Sequence, residues 1–239
     1  MHRYVWLSYP LTLDGPRPPA IPAPELTDLY TVAKDGAGVQ ILRVANHTGT
    51  HVDSPCHVVT GALRITDFSP QEMIFTRPLV IDLPLPDATV AMPGDLEPLA
   101  EQLQSADLAL FRFGYGDIRR TDPKRYSTRC PGFGVESARW LRRTCPDLRA
   151  LGLDVPSVAV IACLEATMPA HNELLAGDGR RFLVIEEMNL DQDLKALIEV
   201  RVNPWLVQGM DSGPCSIVGV LAGEEYSNAR RDLRPFTHS

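Results

Sequence analysis

The eleven residues His47-Thr48-Gly49-Thr50-His51-Val52-Asp53-Ser54-Pro55-Cys56-His57 constrain this chain more than any other stretch. They hold three of the six histidines in a sequence of 239 residues. Neutral imidazoles with a carboxylate form the ligand set of a divalent ion such as Zn²⁺ or Mn²⁺, and packing alone gives no reason to concentrate them. Geometry then narrows the backbone. Thr48, Gly49, Thr50 and Val52 are poor helix formers and Pro55 forbids continuation, so a helix is excluded. In a regular strand His51 and Asp53 share a face, but His47 stands on the order of 13 Å from His51. Ligands at about 2.0–2.2 Å from one ion must converge more closely than that. The chain therefore has to bend between 47 and 51, where Gly49 is free to adopt the required dihedrals. Pro55 sets a second bend that can return His57 to the site.

Three ligands, His47, His51 and Asp53, leave an open position for water, the arrangement of a catalytic ion. Such an ion lowers the pKa of its water and polarises a carbonyl under attack. His57, if not itself a ligand, is placed to act as general base and then general acid. The chemistry this predicts is hydrolysis of a carbonyl derivative. A serine triad from Asp53, Ser54 and His57 is disfavoured, because residues 53 and 54 point to opposite sides of an extended chain and no GxSxG elbow exists. Cys56 reads as a bystander.

With 44% hydrophobic residues the chain can bury the core of a single domain, 1–239. A net charge of −7 and the absence of a basic run argue against nucleic acid or an acidic membrane and favour a small-molecule substrate. No basic stretch followed by an apolar segment opens the sequence, and no apolar run approaches a membrane span, so a cytoplasmic protein is expected. The five cysteines form no CxxC pair and are expected to be reduced thiols. Asn46-His47-Thr48 matches a glycosylation sequon, read here as accidental.

Prolines 16, 18, 19, 22 and 24 make 11–24 an extended surface arm or lid. Residues 38–46 read as a strand feeding the histidine cluster. Further strands are predicted at 78–82, 108–113, 148–157, 182–185, 194–202 and 216–222, the last preceded by a turn at Asp211-Ser-Gly-Pro214. Helices are predicted at 134–144, with Arg139, Arg142 and Arg143 outside, and at 170–176. Gly114-Tyr-Gly-Asp117 reads as a turn rather than a phosphate loop. Trp6, Trp140 and Trp205 are expected in the core. The tail after Gly223 is polar enough for a packed arm or disorder.

The motif resembles the HxGTHxDxPxH signature of the metal-dependent cyclase-like hydrolases, a family that includes bacterial kynurenine formamidase and isatin hydrolase. All seven specified positions are present. Trp6-Leu-Ser-Tyr-Pro-Leu11 is similar to the family's opening strand, Phe111-Arg-Phe-Gly114 to its RTG strand, Gly152-Leu-Asp-Val-Pro-Ser157 to its GIDTPS segment, His171-Asn-Glu-Leu-Leu175 to HxxLL, and Val184-Ile-Glu-Glu-Met188 to ILENL. The resemblance implies an α/β fold, a compact single domain with a mixed, barrel-like β core flanked by helices, and a homodimer. It implies that His47, His51 and Asp53 bind one metal, that His57 is the catalytic base, and that His171 and Glu186 complete a second metal position, giving one or two Zn²⁺ or Mn²⁺ ions per subunit. Alternation along 182–186 also favours Glu186 over Glu187, which is then expected to be solvated.

The implied activity is cleavage of a small amide, lactam or imide-type C–N bond by metal-bound hydroxide. The alternatives are a cyclase or lyase that uses the same ion to polarise a carbonyl, or a ligand-binding homologue without activity. Departures from the family fall elsewhere: Pro18-Pro19-Ala20-Ile21-Pro22 stands where amide hydrolases carry WPG, Val155 interrupts DTPS, and Pro214-Cys215-Ser216 replaces PxR. They bear on the substrate more than on the chemistry.

Overall fold

The computed structural model describes residues 1–223, and the polar tail lies outside the described residues. Thirteen strands occur among the described residues. In chain order they are β1 (Arg3–Trp6), β2 (Glu25–Tyr30), β3 (Val39–Arg43), β4 (His51–Asp53), β5 (Ile74–Phe75), β6 (Pro78–Asp82) and β7 (Val90–Ala91). Then follow β8 (Leu108–Arg112), β9 (Gly132–Phe133), β10 (Ala150–Leu153), β11 (Leu183–Glu186), β12 (Leu197–Pro204) and β13 (Ser212–Leu221).

Nine strands form one mixed sheet in the order β5-β12-β13-β4-β11-β10-β8-β6, with β1 also paired to β13. Strands β6, β8, β10 and β11 run parallel, whereas β4 lies antiparallel to both β11 and β13. The sheet curls until β6 approaches β12, giving a nearly closed barrel flanked by helices, a mixed α/β domain. The parallel strands are apolar on both faces, as strands covered on both sides must be. Period-two alternation divides them between two cores. Leu108, Leu110, Ala150, Leu183 and Ile185 point into the barrel with Val52, Val200 and Ile217. Ala109, Phe111, Leu151, Leu153 and Val184 point outward, under the helices Val135–Thr144 and Pro169–Ala176.

The same alternation sets where polar groups emerge. Glu186 follows Ile185 and shares the outward face of Val184, and His51 and Asp53 flank the inward Val52. Both sets therefore face the helix layer at the C-terminal ends of β10 and β11, where open α/β sheets bind ligands.

The structure departs from the sequence reading at several points. Arg142 is buried rather than outside: its guanidinium pairs with Asp178 and lies over the Phe182 ring, so the helix has an apolar stripe wide enough to include an arginine stem. Gly114-Tyr-Gly-Asp117 opens into a helix, Gly116–Thr121, instead of ending in a turn. The last strand starts at Ser212 and includes Pro214, which lacks an N–H but whose carbonyl accepts from the Trp205 N–H. Trp6 and Trp205 lie on the surface, being 62% and 43% exposed. Segment 11–24 carries no helix or strand, as its prolines require. It leads into an antiparallel hairpin, β2 with β3, both strands of which are exposed along their whole length.

Candidate metal centre

The histidine segment enters the site through the two bends its sequence demands. Gly49 adopts a left-handed φ of 66°, and Pro55–His57 forms a single 3₁₀ turn. Between them His51–Asp53 is a three-residue buried strand held on both edges, by β11 and β13. Pairing with β11 sets His51 opposite Glu186, and His51 Nε2 lies 3.2 Å from Glu186 Oε2. His171, on the helix Pro169–Ala176, reaches Glu186 Oε1 at 3.2 Å through Nε2. The Val158 N–H, in the loop after β10, donates to the same oxygen at 2.6 Å and fixes its direction.

On the other side, His47 Nδ1 lies 3.1 Å from Asp53 Oδ1, and the rings of His47 and His57 are 4.3 Å apart. His57 Nδ1 lies 3.0 Å from Asp211 Oδ2, and His47 Nε2 lies 3.5 Å from that oxygen. Asp211 is itself anchored. Its Oδ1 accepts from Asn46 at 2.8 Å, its Oδ2 from Ser212 at 2.9 Å, and its carbonyl from the Ser54 N–H at 3.3 Å.

Two tautomers follow from these contacts. The Gly49 carbonyl, 2.8 Å from His51 Nδ1, can only accept, so neutral His51 carries its proton on Nδ1 and turns the Nε2 lone pair to the cluster. The Asp211 carboxylate likewise can only accept, so neutral His57 donates Nδ1–H to it and leaves Nε2 as the basic nitrogen.

The residues fit a divalent cation. Four buried atoms meet here without a hydrogen-bond partner: His51 Nε2, both Asp53 carboxylate oxygens and His171 Nδ1. Buried polar groups are rarely left unmatched, and a carboxylate with no aligned donor is among the costliest to leave so. Asp53 Oδ1 has imidazole nitrogens of His47 and His51 at 3.1 and 3.6 Å, but neither contact has the geometry of a hydrogen bond. Three sets have ligand atoms close enough to share an ion: His47, His51 and Asp53; Asp53, His57 and His171; and His47, His57 and Asp211.

Charge reinforces the arrangement. Burial works to lower the His51 pKa, but the Asp53 charge and the Glu186 contact outweigh it and push it up to about 9. Burial opposes ionisation of Asp53 and Glu186 too, yet the neighbouring imidazoles hold both below the usual carboxylate range.

The structure brings together His47, His51, Asp53, His57, His171 and Glu186. Glu187, expected to be solvated, is 2% exposed and pairs with Arg119. Residue 187 has a left-handed φ of 55°, and its carboxylate meets Arg119 instead of solvent. Asp211 is the site residue that sequence reasoning missed. Its signal was the Asp-Ser-Gly-Pro run, read as a turn, which heads the strand paired with the histidine strand. Ser54 faces away from His57, its Oγ within hydrogen-bond reach of the Leu63 and Asp211 carbonyls, which disposes of the triad geometry. The deep members, His51, Asp53, His171 and Glu186, are closed off, whereas His47, His57 and Asp211 form a rim whose side chains are 20%, 19% and 31% exposed. A cavity of about 470 Å³ is lined by Thr48 and Thr50 of the motif together with Trp6 and Trp205, and none of the motif's histidines lines it.

The fold and this donor set make a candidate site for a divalent cation on a barrel-like α/β scaffold. Residues 5–160 match the Cyclase family profile, and the chain belongs to that family. It is 27% identical over 176 residues to Cyclase-like protein 3 of Oryza sativa subsp. japonica, covering 72% of this chain and 62% of the rice protein. It is 28% identical over 182 residues to Cyclase-like protein 2 of Arabidopsis thaliana, covering 72% of this chain and 61% of that protein. The chain thus spans about six tenths of these plant relatives. Among solved structures, an isatin hydrolase A from Labrenzia aggregata bound to benzyl benzoate superposes with a TM-score of 0.79 at 17% identity, covering 93% of this chain and 94% of that one. A potential metal-dependent hydrolase with cyclase activity superposes with a TM-score of 0.73 at 18% identity, covering 93% of this chain and all of that one. These likenesses establish the fold.

Proposed function

We propose that this chain is a metal-dependent hydrolase that cleaves a small amide, lactam or imide-type C–N bond. The observation that carries the reading is the set of buried unpartnered atoms beside His57, an imidazole whose Nδ1 is held by Asp211 on the open rim. One or two Zn²⁺ or Mn²⁺ ions, held by His47, His51 and Asp53 and by His171 and Glu186, would supply Lewis-acid polarisation of the carbonyl and acidification of water. His57 takes the proton of the attacking water on Nε2 as the C–O bond forms. It then returns that proton to the departing nitrogen as the C–N bond breaks, leaving an amine and a carboxylic acid that gives its remaining proton to solvent. Asp211 keeps Nδ1 protonated throughout and stabilises the transient imidazolium. The isatin hydrolases among the structural neighbours support this chemistry, since their named substrate is a cyclic amide.

We further propose a small-molecule substrate, a cytoplasmic setting in line with five unpaired cysteines, and a homodimer formed through the exposed hairpin. Among the described residues no helix is long and apolar enough to cross a membrane.

The test is a panel of formamides, isatin and cyclic imides in H₂¹⁸O with metal-loaded protein. Hydrolysis must place solvent oxygen in the product, whereas ring closure must not. His57→Ala should retain its metal and lose about 10²- to 10⁴-fold in turnover. Asp211→Asn should keep metal and lose a smaller factor. Undiminished turnover in the His57 variant would refute its role, and lost metal would make His57 a ligand.

A further inference from the structure

Glu187 is one of two non-glycine residues with positive φ among the described residues, at 55°. Left-handed backbone is rare for a residue with a Cβ, and glycine, asparagine and aspartate are its usual occupants. Such an outlier persists only where its surroundings over-determine it. Here they do. The Glu187 N–H donates to the Val155 carbonyl at 2.8 Å, and its carbonyl accepts from Thr50 Oγ1 at 2.6 Å. Its carboxylate receives Arg119 Nη2 at 2.7 Å and Nε at 3.1 Å. The Arg119 guanidinium lies over the Tyr9 ring, 3.8 Å from its centroid, and the Tyr9 N–H donates to Thr50 Oγ1 at 3.0 Å. Four residues from four segments of the chain thus close a ring of contacts.

The ring touches both halves of the candidate metal centre. Thr50 immediately precedes His51, and Glu187 immediately follows Glu186. Those two neighbours face each other across the β4–β11 pairing. An extended backbone at 187 would carry its side chain into the apolar barrel beside Ile185 and Val52; the left-handed turn sends it to Arg119 instead.

We propose that Arg119 and Glu187 are positioning residues that fix the spacing of His51 and Glu186 by locking residue 187 in the left-handed conformation. The inference rests on the metal-site reading above. The pair acts through the backbone, so the charge is dispensable wherever another residue holds the same bend.

The test compares two double variants that both lack the ion pair: R119M/E187N, whose asparagine tolerates left-handed backbone, and R119M/E187A, whose alanine does not. Methionine keeps an apolar stem against Tyr9. Zn²⁺ and Mn²⁺ affinity is read by competition with a chromophoric chelator, and folding by circular dichroism. Amide hydrogen exchange of segments 48–53 and 184–188 is followed in metal-free protein. R119M/E187A should bind metal about 10-fold more weakly than the parent, within the range that supporting residues of metal ligands command. It should also exchange faster in both segments. R119M/E187N should recover most of the affinity and the parent's protection. Parent-like affinity in R119M/E187A, or an equal loss in both variants, would overturn the proposal. If the parent takes up neither ion, the metal reading fails, and the exchange pattern alone decides the clamp: faster exchange confined to R119M/E187A upholds it, and equal exchange in the two overturns it.

Discussion

The most exacting consequence of the site concerns His51 and pH. In metal-free protein the Asp53 charge and the Glu186 contact outweigh burial and lift its pKa from 6.5 to about 9. A raised folded-state pKa contributes stability that is fully present below the unfolded value, here 6.5, and is lost as pH rises through about 9. The shift corresponds to about 3 kcal/mol, or roughly 6–12 °C in Tm for a chain of this size. The lowered pKa values of Asp53 and Glu186 describe the same contacts from the carboxylate side and are not added. Metal binding has the opposite sign. A ligand imidazole must be neutral, so a bound cation displaces this proton, and apparent affinity should fall about tenfold per pH unit below 9, or about 100-fold between pH 8 and pH 6. Chelator competition at pH 6, 7 and 8 measures the affinity. Calorimetry of the metal-free protein over pH 6–9, set against the same scan of His51→Asn, isolates the stability. Affinity that stays flat between pH 6 and 8, or a parent-minus-variant Tm difference that does not shrink as pH rises, would refute the reasoning.

Gly49→Ala forces an L side chain into left-handed backbone, about 1–2 kcal/mol, and sets a Cβ 3.3 Å from Leu11 Cδ1. A lowered Tm together with weakened metal uptake is expected; unchanged uptake would show that the bend does not set the His47–His51 spacing. In the hairpin, Leu26 and Leu42 are register partners that are 45% and 39% exposed. Leu26→Lys with Leu42→Glu keeps a cross-strand attraction while making that face polar. Light scattering should find the parent dimeric and the double variant monomeric, and a monomeric parent would remove the homodimer. Asp211→Asn should retain metal, as set out above; metal loss comparable to that of Asp53→Asn would place Asp211 among the ligands.

Much of this protein is determined locally. The two bends of the histidine segment were legible because glycine enters left-handed backbone such as that at 49 most readily, and the proline at 55 breaks the strand so that residue 57 can return to the cluster. The parallel strands were legible as short apolar runs, and alternation set Glu186 and Glu187 on opposite faces, while the pairing of Glu186 with His171 came from the family resemblance. Long-range pairing decided the rest. Nothing near Asp211 in sequence shows that β13 will lie against β4, 159 residues away between Ser212 and Asp53, and deliver a carboxylate to His57. Nor does Glu187 announce Arg119, 68 positions earlier, or Arg142 its partner Asp178. A charged side chain is read as solvated unless its partner is known, and the partner here comes from another layer of the fold. The sequence by itself determined which residues can coordinate an ion and where the backbone must turn, because ligand chemistry and dihedral freedom are properties of single residues. Only the tertiary structure decided which carboxylates remain solvated, which orient an imidazole and which lock a turn, because burial and hydrogen-bond geometry are properties of pairs.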